Sequence, residues 1–273
     1  MNKLSLIALG MAALLSTSAK KGHTELKVMS YNIRHGYVEK SDTGLKHWDN
    51  RKFATINMIN AEKPDIIGFQ EMKEAQQTYC AENLPDYEEV FQSRGNTKYT
   101  MFRKDRFKKL DQGCFWLSET PEKSSYGWGA VSIRPTLWVR LQDKLTGKEI
   151  YFFNTHLDVR SYEARIKGAA LNVEYMKKIC GKKAIQFIGG DMNTQNEEDL
   201  TAFESWLKNG RKTAPETDDR PTYQGFGYSK NPTRLDHIYY RNVKPVRYQV
   251  LTGKDYGVEY ISDHYPVMLT VKY

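Results

Sequence analysis

The sequence predicts an α+β domain in which two β-sheets pack face to face and a few helices cover their outer sides. Eleven short apolar runs are bounded by turn residues, and four longer stretches carry helical spacing. No Pro/Ser/Gly-rich linker, internal repeat or low-complexity tract separates them. Many strands with a few separated helices suit packed sheets covered by helices. One domain is expected over residues 24–273.

The strand segments are residues 26–32, 65–70, 87–92, 99–103, 107–117, 137–142, 150–155, 184–189, 235–240, 246–251 and 266–271. Each is a short apolar run closed by turn formers. Lys144-Leu145-Thr146-Gly147 reads as the hairpin turn between two of them. Helices are expected over 48–61, 73–83, 162–179 and 197–208. The third is the most periodic, with Ala164, Ala169, Leu171, Tyr175, Met176 and Ile179 available to a core face.

The composition is that of a globular chain: 40% hydrophobic, 27% charged and 12% aromatic residues over 273 positions, with a mean hydropathy of -0.68. A polytopic membrane protein and a disordered chain are both excluded. The formal charge of +8 points weakly to anionic partners. Lys3, the apolar run 4–15 and the small residues Thr17, Ser18 and Ala19 read as a signal peptide over 1–19. Export to the periplasm or the extracellular space is therefore expected. Cys80, Cys114 and Cys180 are odd in number and widely spaced, so they read as buried thiols rather than a disulfide framework or zinc site.

Polar residues gather at the strand ends. Asn32 and Arg34 close the first strand, Glu71 follows Gln70, and Asn154, His156 and Asp158 end the run from Phe152. Asp191 and Asn193 end the run from Gln186, Asp236 and His237 open another, and Asp263 and His264 precede the last. Singly, each is an ordinary turn residue. Together they supply one Glu, several Asp and Asn, and two His with separable roles, on loops carried by a rigid sheet scaffold.

Those roles suit phosphoester hydrolysis. Glu71, Asp263 and the amide oxygen of Asn32 offer oxygen ligands to a hard divalent cation. Asp191 with Asn193 can orient a water and take its proton. His264, His156 and Asn193 can stabilise charge on the phosphoryl oxygens, and Asp236 is the acid available to fix His264.

The segments Ser-Tyr-Asn-Ile-Arg at 30–34, Gly-Phe-Gln-Glu at 68–71, Asn-Thr-His-Leu-Asp at 154–158, Gly-Asp-Met-Asn at 190–193, Leu-Asp-His-Ile at 235–238 and Ser-Asp-His-Tyr-Pro-Val at 262–267 resemble, in order, the motif set of the endonuclease/exonuclease/phosphatase superfamily. That superfamily spans deoxyribonucleases, abasic-site endonucleases, deadenylases, sphingomyelinases and inositol polyphosphate phosphatases. The resemblance implies a four-layer αββα sandwich, two packed and mainly antiparallel sheets flanked by helices, with Mg2+ or Mn2+ dependence. It implies metal-site roles for Asn32, Glu71 and Asp263, water orientation by Asp191 and Asn193, an Asp236–His264 pair, and a phosphate-facing His156. Asp191 and His264 both stand as acceptors of the water's proton. The segment 48–52, the segment 115–121 and Arg134 look like a secreted bacterial subgroup.

Two departures matter. Where many members carry an acid supporting the first histidine, residues 94–99 offer Asn96 and Lys98. Arg34 stands where abasic-site enzymes have an Asp, which argues against that specialisation. For the substrate, Arg34, Arg134 and Asn154 are the binding candidates, Arg103, Lys104, Arg106, Lys108 and Lys109 could line a nucleic-acid path, and Trp116, Tyr126 and Trp128 could stack on a base or sugar. The leading reading is an exported phosphodiesterase, nuclease-like or sphingomyelinase-like, acting as a monomer on a nucleic acid, phospholipid or small phosphoester. A phosphomonoesterase on inositol or sugar phosphates is the alternative, and a non-catalytic phosphate-binding module the reading of another class.

Overall fold

The computed structural model describes residues 24–36, 43–93 and 97–273. The segment read as a signal peptide lies outside the described residues. Strands β1 (Glu25–Asn32), β2 (Ile66–Gln70), β3 (Tyr87–Val90), β4 (Tyr99–Arg103), β5 (Phe107–Trp116), β6 (Pro135–Asp143), β7 (Glu149–His156), β8 (Ile185–Asp191), β9 (Lys208–Asn209), β10 (Glu216–Thr217), β11 (Asp236–Arg241), β12 (Lys244–Val250) and β13 (Val267–Lys272) form two sheets. One runs β10-β12-β13-β1-β2-β4-β3 and the other β5-β6-β7-β8-β11-β9. Both are mixed. The parallel pairs are β1 with β2, β10 with β12 and β7 with β8, and the other eight ladders are antiparallel.

Helices α1 (Lys52–Glu62) and α2 (Glu74–Asn83) lie on the first sheet, and α3 (Tyr162–Ile179), α4 (Thr201–Glu204) and α5 (Gly210–Thr213) belong with the second. Successive strand residues point to opposite faces, and here both faces are buried. Val28, Ile66, Phe152, Phe187 and Leu269 meet in the layer between the sheets. Their neighbours Met29, Ile67 and Met268 pack with Met58 and Ile59 of α1. Phe153 and Ile188 pack with Val173 and Met176 of α3. Three apolar layers between four structural layers make this the αββα sandwich expected from the sequence.

The eleven expected strands all form, with ends displaced by at most two residues. Two helices differ. The one expected over 48–61 begins as a 3-10 turn, Trp48–Asn50, because Arg51 turns inward and donates to the Ile33 and Ile261 carbonyls at 2.7 and 3.2 Å. The one expected over 197–208 is a 3-10 turn, Glu197–Leu200, then α4, and the chain leaves it to pair as β9 with β11. There Asn209 caps α5 by accepting from the Arg211 and Lys212 amides. All three cysteines are free thiols, with Cys80 and Cys180 buried.

Close approach of backbones fixes glycines in the strands that lead to the motifs. A Cβ on Gly190 would lie 2.1 Å from the Thr155 carbonyl oxygen of β7, and one on Gly68 would lie 2.6 Å from the Phe152 ring. Backbone cannot yield as a side chain can. Gly190→Ala is therefore expected to destabilise the fold by about 3 kcal/mol through overpacking, read as a lowered urea midpoint with unchanged slope; an unaltered midpoint would refute the close packing.

Candidate active site

Strand direction explains why residues so far apart in sequence can meet. The parallel pairs β1/β2 and β7/β8 put four C-terminal ends at one edge, carrying Asn32, Gln70 with Glu71, His156 and Asp191. Antiparallel β11 and β13 begin at that same edge, so Asp236 and the Asp263-His264 turn arrive there too. His156 stands opposite Asp191, and Asp236 opposite Asp191, in the ladders. The two sheets touch across this edge where Asn32 Nδ2 donates to Asp191 Oδ2 at 3.0 Å.

Three residues here, Arg34, Glu71 and Asn193, hold positive φ of 51°, 63° and 50°. None is glycine, and such a conformation costs a side-chain-bearing residue on the order of 1 kcal/mol. Two of the three are held alike: Asn32 Oδ1 accepts from the Arg34 amide at 3.0 Å, and Asp191 Oδ1 accepts from the Asn193 amide at 2.8 Å. The last strand residue thus turns the chain so that the residue two further on faces the site.

His264 is gripped by carboxylates. Its Nδ1 lies 2.8 Å from Asp236 Oδ2, and its Nε2 lies 3.7 Å from Asp191 Oδ2. Burial alone would discharge the ring, but Asp236 and Asp191 outweigh it and hold the imidazole well above its usual range. His156 goes the other way. Burial first, then the cations Arg134 and Lys98, keep it well below the usual value and therefore neutral. Its Nε2 contacts Asn193 Nδ2 at 2.8 Å, and its buried Nδ1 has no hydrogen-bond partner. That orphaned nitrogen agrees with the missing acid noted in the sequence, and the ring is 2% exposed. Burial also raises Asp191 above the ordinary carboxylate range.

Glu71 accepts from Asn32 Nδ2 at 3.1 Å and contacts His35 Nδ1 at 2.7 Å. Burial would raise its carboxyl, yet the hydrogen bonds from His35 and Asn32 hold it well below the usual range. One carboxylate oxygen each from Glu71 and Asp191 and a His156 nitrogen lie within 4.8 Å of one another. The two ionisable carboxylates suit a hard divalent cation. The Asn32 amide oxygen accepts from the Arg34 amide with one lone pair, and its Nδ2 braces the two carboxylates. The structure alters one metal expectation. Asp263 stands outside this group and pairs with Arg34 Nη1 at 3.2 Å.

Around this cluster lie Arg34, Arg134 and Lys98. Arg134 interacts electrostatically with Asp191, Asp158 and Glu71. Lys98, 1% exposed, feels Glu71 and Asp191, and burial followed by Arg134 pushes its ammonium down to about 7. Sequence reading missed Lys98 and His35 as site residues. Adjacency to Arg34 was the available signal for His35; for Lys98 it was the departure from the family pattern.

Asn154 is corrected from substrate binding to a structural tie. It is wholly buried; Nδ2 donates to the Phe69 and Tyr99 carbonyls at 2.8 and 2.9 Å, and Oδ1 accepts from Gln70 Nε2 at 2.8 Å. The basic run from Arg103 to Lys109 lies at the far end of β4 and the start of β5, away from the site. There Arg103 and Arg106 pair with Asp65, and Lys109 with Glu88. It lines no path to the chemistry. Trp128 packs against the α3 layer, whereas Tyr126 is 62% exposed.

Asn154→Ala is expected to leave the Phe69 and Tyr99 carbonyls unpaired, a cost of about 1–3 kcal/mol for each buried group. Stability and turnover should fall together, as urea unfolding and steady-state rates will show; loss of neither would end the tie's assigned role.

Residues 29–264 match the model of the Endonuclease/Exonuclease/phosphatase family. Among solved structures, the mannosyl-6-phosphatase of Bacteroides thetaiotaomicron is 30% identical, with a TM-score of 0.82 over 91% of this chain and 100% of that one. The family protein from Bacteroides vulgatus is 28% identical, with a TM-score of 0.81 over 91% and 98%. TDP2 of D. rerio, solved with a single-strand DNA product, shares the fold at 17% identity and a TM-score of 0.74 over 91% and 99%. A curated relative, the uncharacterized protein L388 of Acanthamoeba polyphaga mimivirus, is 29% identical over 89% of this chain and 99% of its own. With the motif residues gathered at one sheet edge, the match across residues 29–264 establishes that the chain belongs to the Endonuclease/Exonuclease/phosphatase family of phosphoester hydrolases.

Proposed function

We propose that the chain is an exported, divalent-metal-dependent phosphomonoesterase acting on a small phosphorylated compound of the sugar-phosphate class. The observation that carries the monoester reading is charge. Arg34, Arg134 and a cationic His264 surround one small cluster, more than a singly charged diester requires and suited to a phosphate dianion. The mannosyl-6-phosphatase relative, matched over its full length, supports the same choice. The diesterase reading loses the basic run that favoured it, because that run lies at the opposite edge and is paired with acids. Export rests on the N-terminal sequence pattern alone.

Glu71 is the carboxylate that would hold Mg2+ or Mn2+, which would supply Lewis-acid polarisation of the phosphoryl oxygens. Asp191, raised by burial toward the working pH, takes the proton of the attacking water. His264, held cationic by Asp236, donates to the oxygens that gain charge. Asp191, raised toward neutrality, and His264, held cationic, divide the base and acid roles between them. Arg34 and Arg134 hold the substrate phosphate.

A panel of mannose 6-phosphate, other sugar phosphates, inositol phosphates, bis-aryl phosphate, plasmid, RNA and sphingomyelin with added Mg2+ tests the reading. Monoester turnover, abolished by chelation, is expected; turnover of diesters alone would overturn it. Glu71→Gln and His264→Ala should each lower kcat by about 100-fold to 1,000-fold with the circular dichroism spectrum unchanged.

The pH profile follows from the same groups. Activity should fall on the acid side as Asp191 takes up a proton, and on the alkaline side as His264 loses one. Asp236 raises the His264 pKa, so Asp236→Asn should move the alkaline limb to lower pH. An alkaline limb that stays in place would show that His264 is not the group titrating.

A further inference from the structure

We infer that the pole opposite the catalytic edge is a second anion site, built for a compact molecule bearing several phosphate or sulfate groups. β11 runs from Asp236 at the catalytic edge to Arg241 at this pole, five residues on and about 17 Å away. A cavity of about 660 Å3 opens there, walled by Lys148, Lys208, Arg241, Lys244 and Lys272 with Trp206 at its side. Its size suits a small ligand. A second cavity of about 490 Å3 shares Lys148 and adds Lys182 and Lys183. Asn242 joins the two, donating to the Lys182 and Ala184 carbonyls at 2.9 and 2.7 Å.

The cations outnumber the acids here, since Glu204 is the one acid on the wall of the first cavity and Glu149 the one on the second. Among the described residues, none of these seven cations makes an ion pair. Two of the carboxylates nearby are committed elsewhere, Glu204 to Lys212 at 2.7 Å and Glu149 to Arg140 at 2.8 Å, while Glu25 stands opposite Lys272 in the β1/β13 ladder. Lys244 and Lys272 also stand directly opposite one another in the β12/β13 ladder, and like charges so placed are destabilising. An unpaired cluster held against its own repulsion, around a concave wall, is the electrostatic form of an anion site.

Compact polyanions are favoured over nucleic acid by the aromatic geometry. Arg241 lies 3.8 Å from the centre of the Trp206 ring and Lys177 lies 5.0 Å from it. Tyr240 is buried, with its hydroxyl at 2.8 Å from Thr213. No bare ring among these offers a stacking platform for bases.

The probes are myo-inositol hexasulfate, which contains no phosphoester bond for the enzyme to cut, and tripolyphosphate. Isothermal titration of the full chain at low salt should show one saturable site. Lys244→Glu with Lys272→Glu should weaken binding about tenfold or more, while phosphoester hydrolysis stays at the wild-type rate. Added salt should weaken it as well. Absence of saturable binding overturns the inference, as does equal affinity in the charge-reversed variant. A single-stranded oligonucleotide displacing both probes through the same lysines would overturn it in favour of a nucleic-acid surface. The readout is binding, not turnover, so it stands or falls independently of the proposed reaction.

Discussion

The site depends on one buried amide. Glu71 belongs to one sheet and Asp191 to the other, and nothing in either sheet's own ladder fixes their distance. Asn154, on β7, spans the gap. It takes the Phe69 and Tyr99 carbonyls of the opposing sheet on its Nδ2 and the Gln70 side chain on its Oδ1. In an interior where an unpaired carbonyl is costly, three bonds at one residue pin the sheets together one position before Glu71 and two before His156. Gly68 makes the approach possible, since a side chain there would strike Phe152. Arg51 adds a second restraint from the helix side, holding the Ile33, Arg34 and Ile261 carbonyls with one guanidinium.

Once the sheets are locked, electrostatics differentiates chemically identical groups. Two histidines are both buried at one edge, yet they have opposite protonation. His264 faces Asp236 and Asp191, whereas His156 shares its space with Arg134 and Lys98 and has no acid on Nδ1. Placement alone thus gives one imidazole a charge and leaves the other neutral.

Much of this was legible in the sequence, for physical reasons. Strands buried on both faces read as short apolar runs, so their positions are visible in composition; the motif side chains sit where those runs stop. What stays hidden depends on three-dimensional closure. Asn154 looks like a substrate contact because its sequence neighbours are polar, and only the packing of β7 against β2 turns it inward. Lys98 shows in the sequence only as a departure from the family pattern, and its burial depends on the folded surroundings. Positive φ at Arg34, Glu71 and Asn193 has no glycine to announce it. The helix expected beyond Leu200 fails because β11 offers Lys208 and Asn209 an edge to pair with, a tertiary override of local pattern.

The pairing of β1 with β13 joins the first described strand to the last, with Leu26 opposite Val271. A nascent chain that stops before Asp263 leaves β1 without that neighbour and lacks Asp263 and His264 as well. Contacts of such long sequence separation close late and slowly. The edge that gathers the motif residues is thus not assembled early in synthesis: β1 acquires its antiparallel partner, and the edge acquires Asp263 and His264, from the same stretch of residues 263–272.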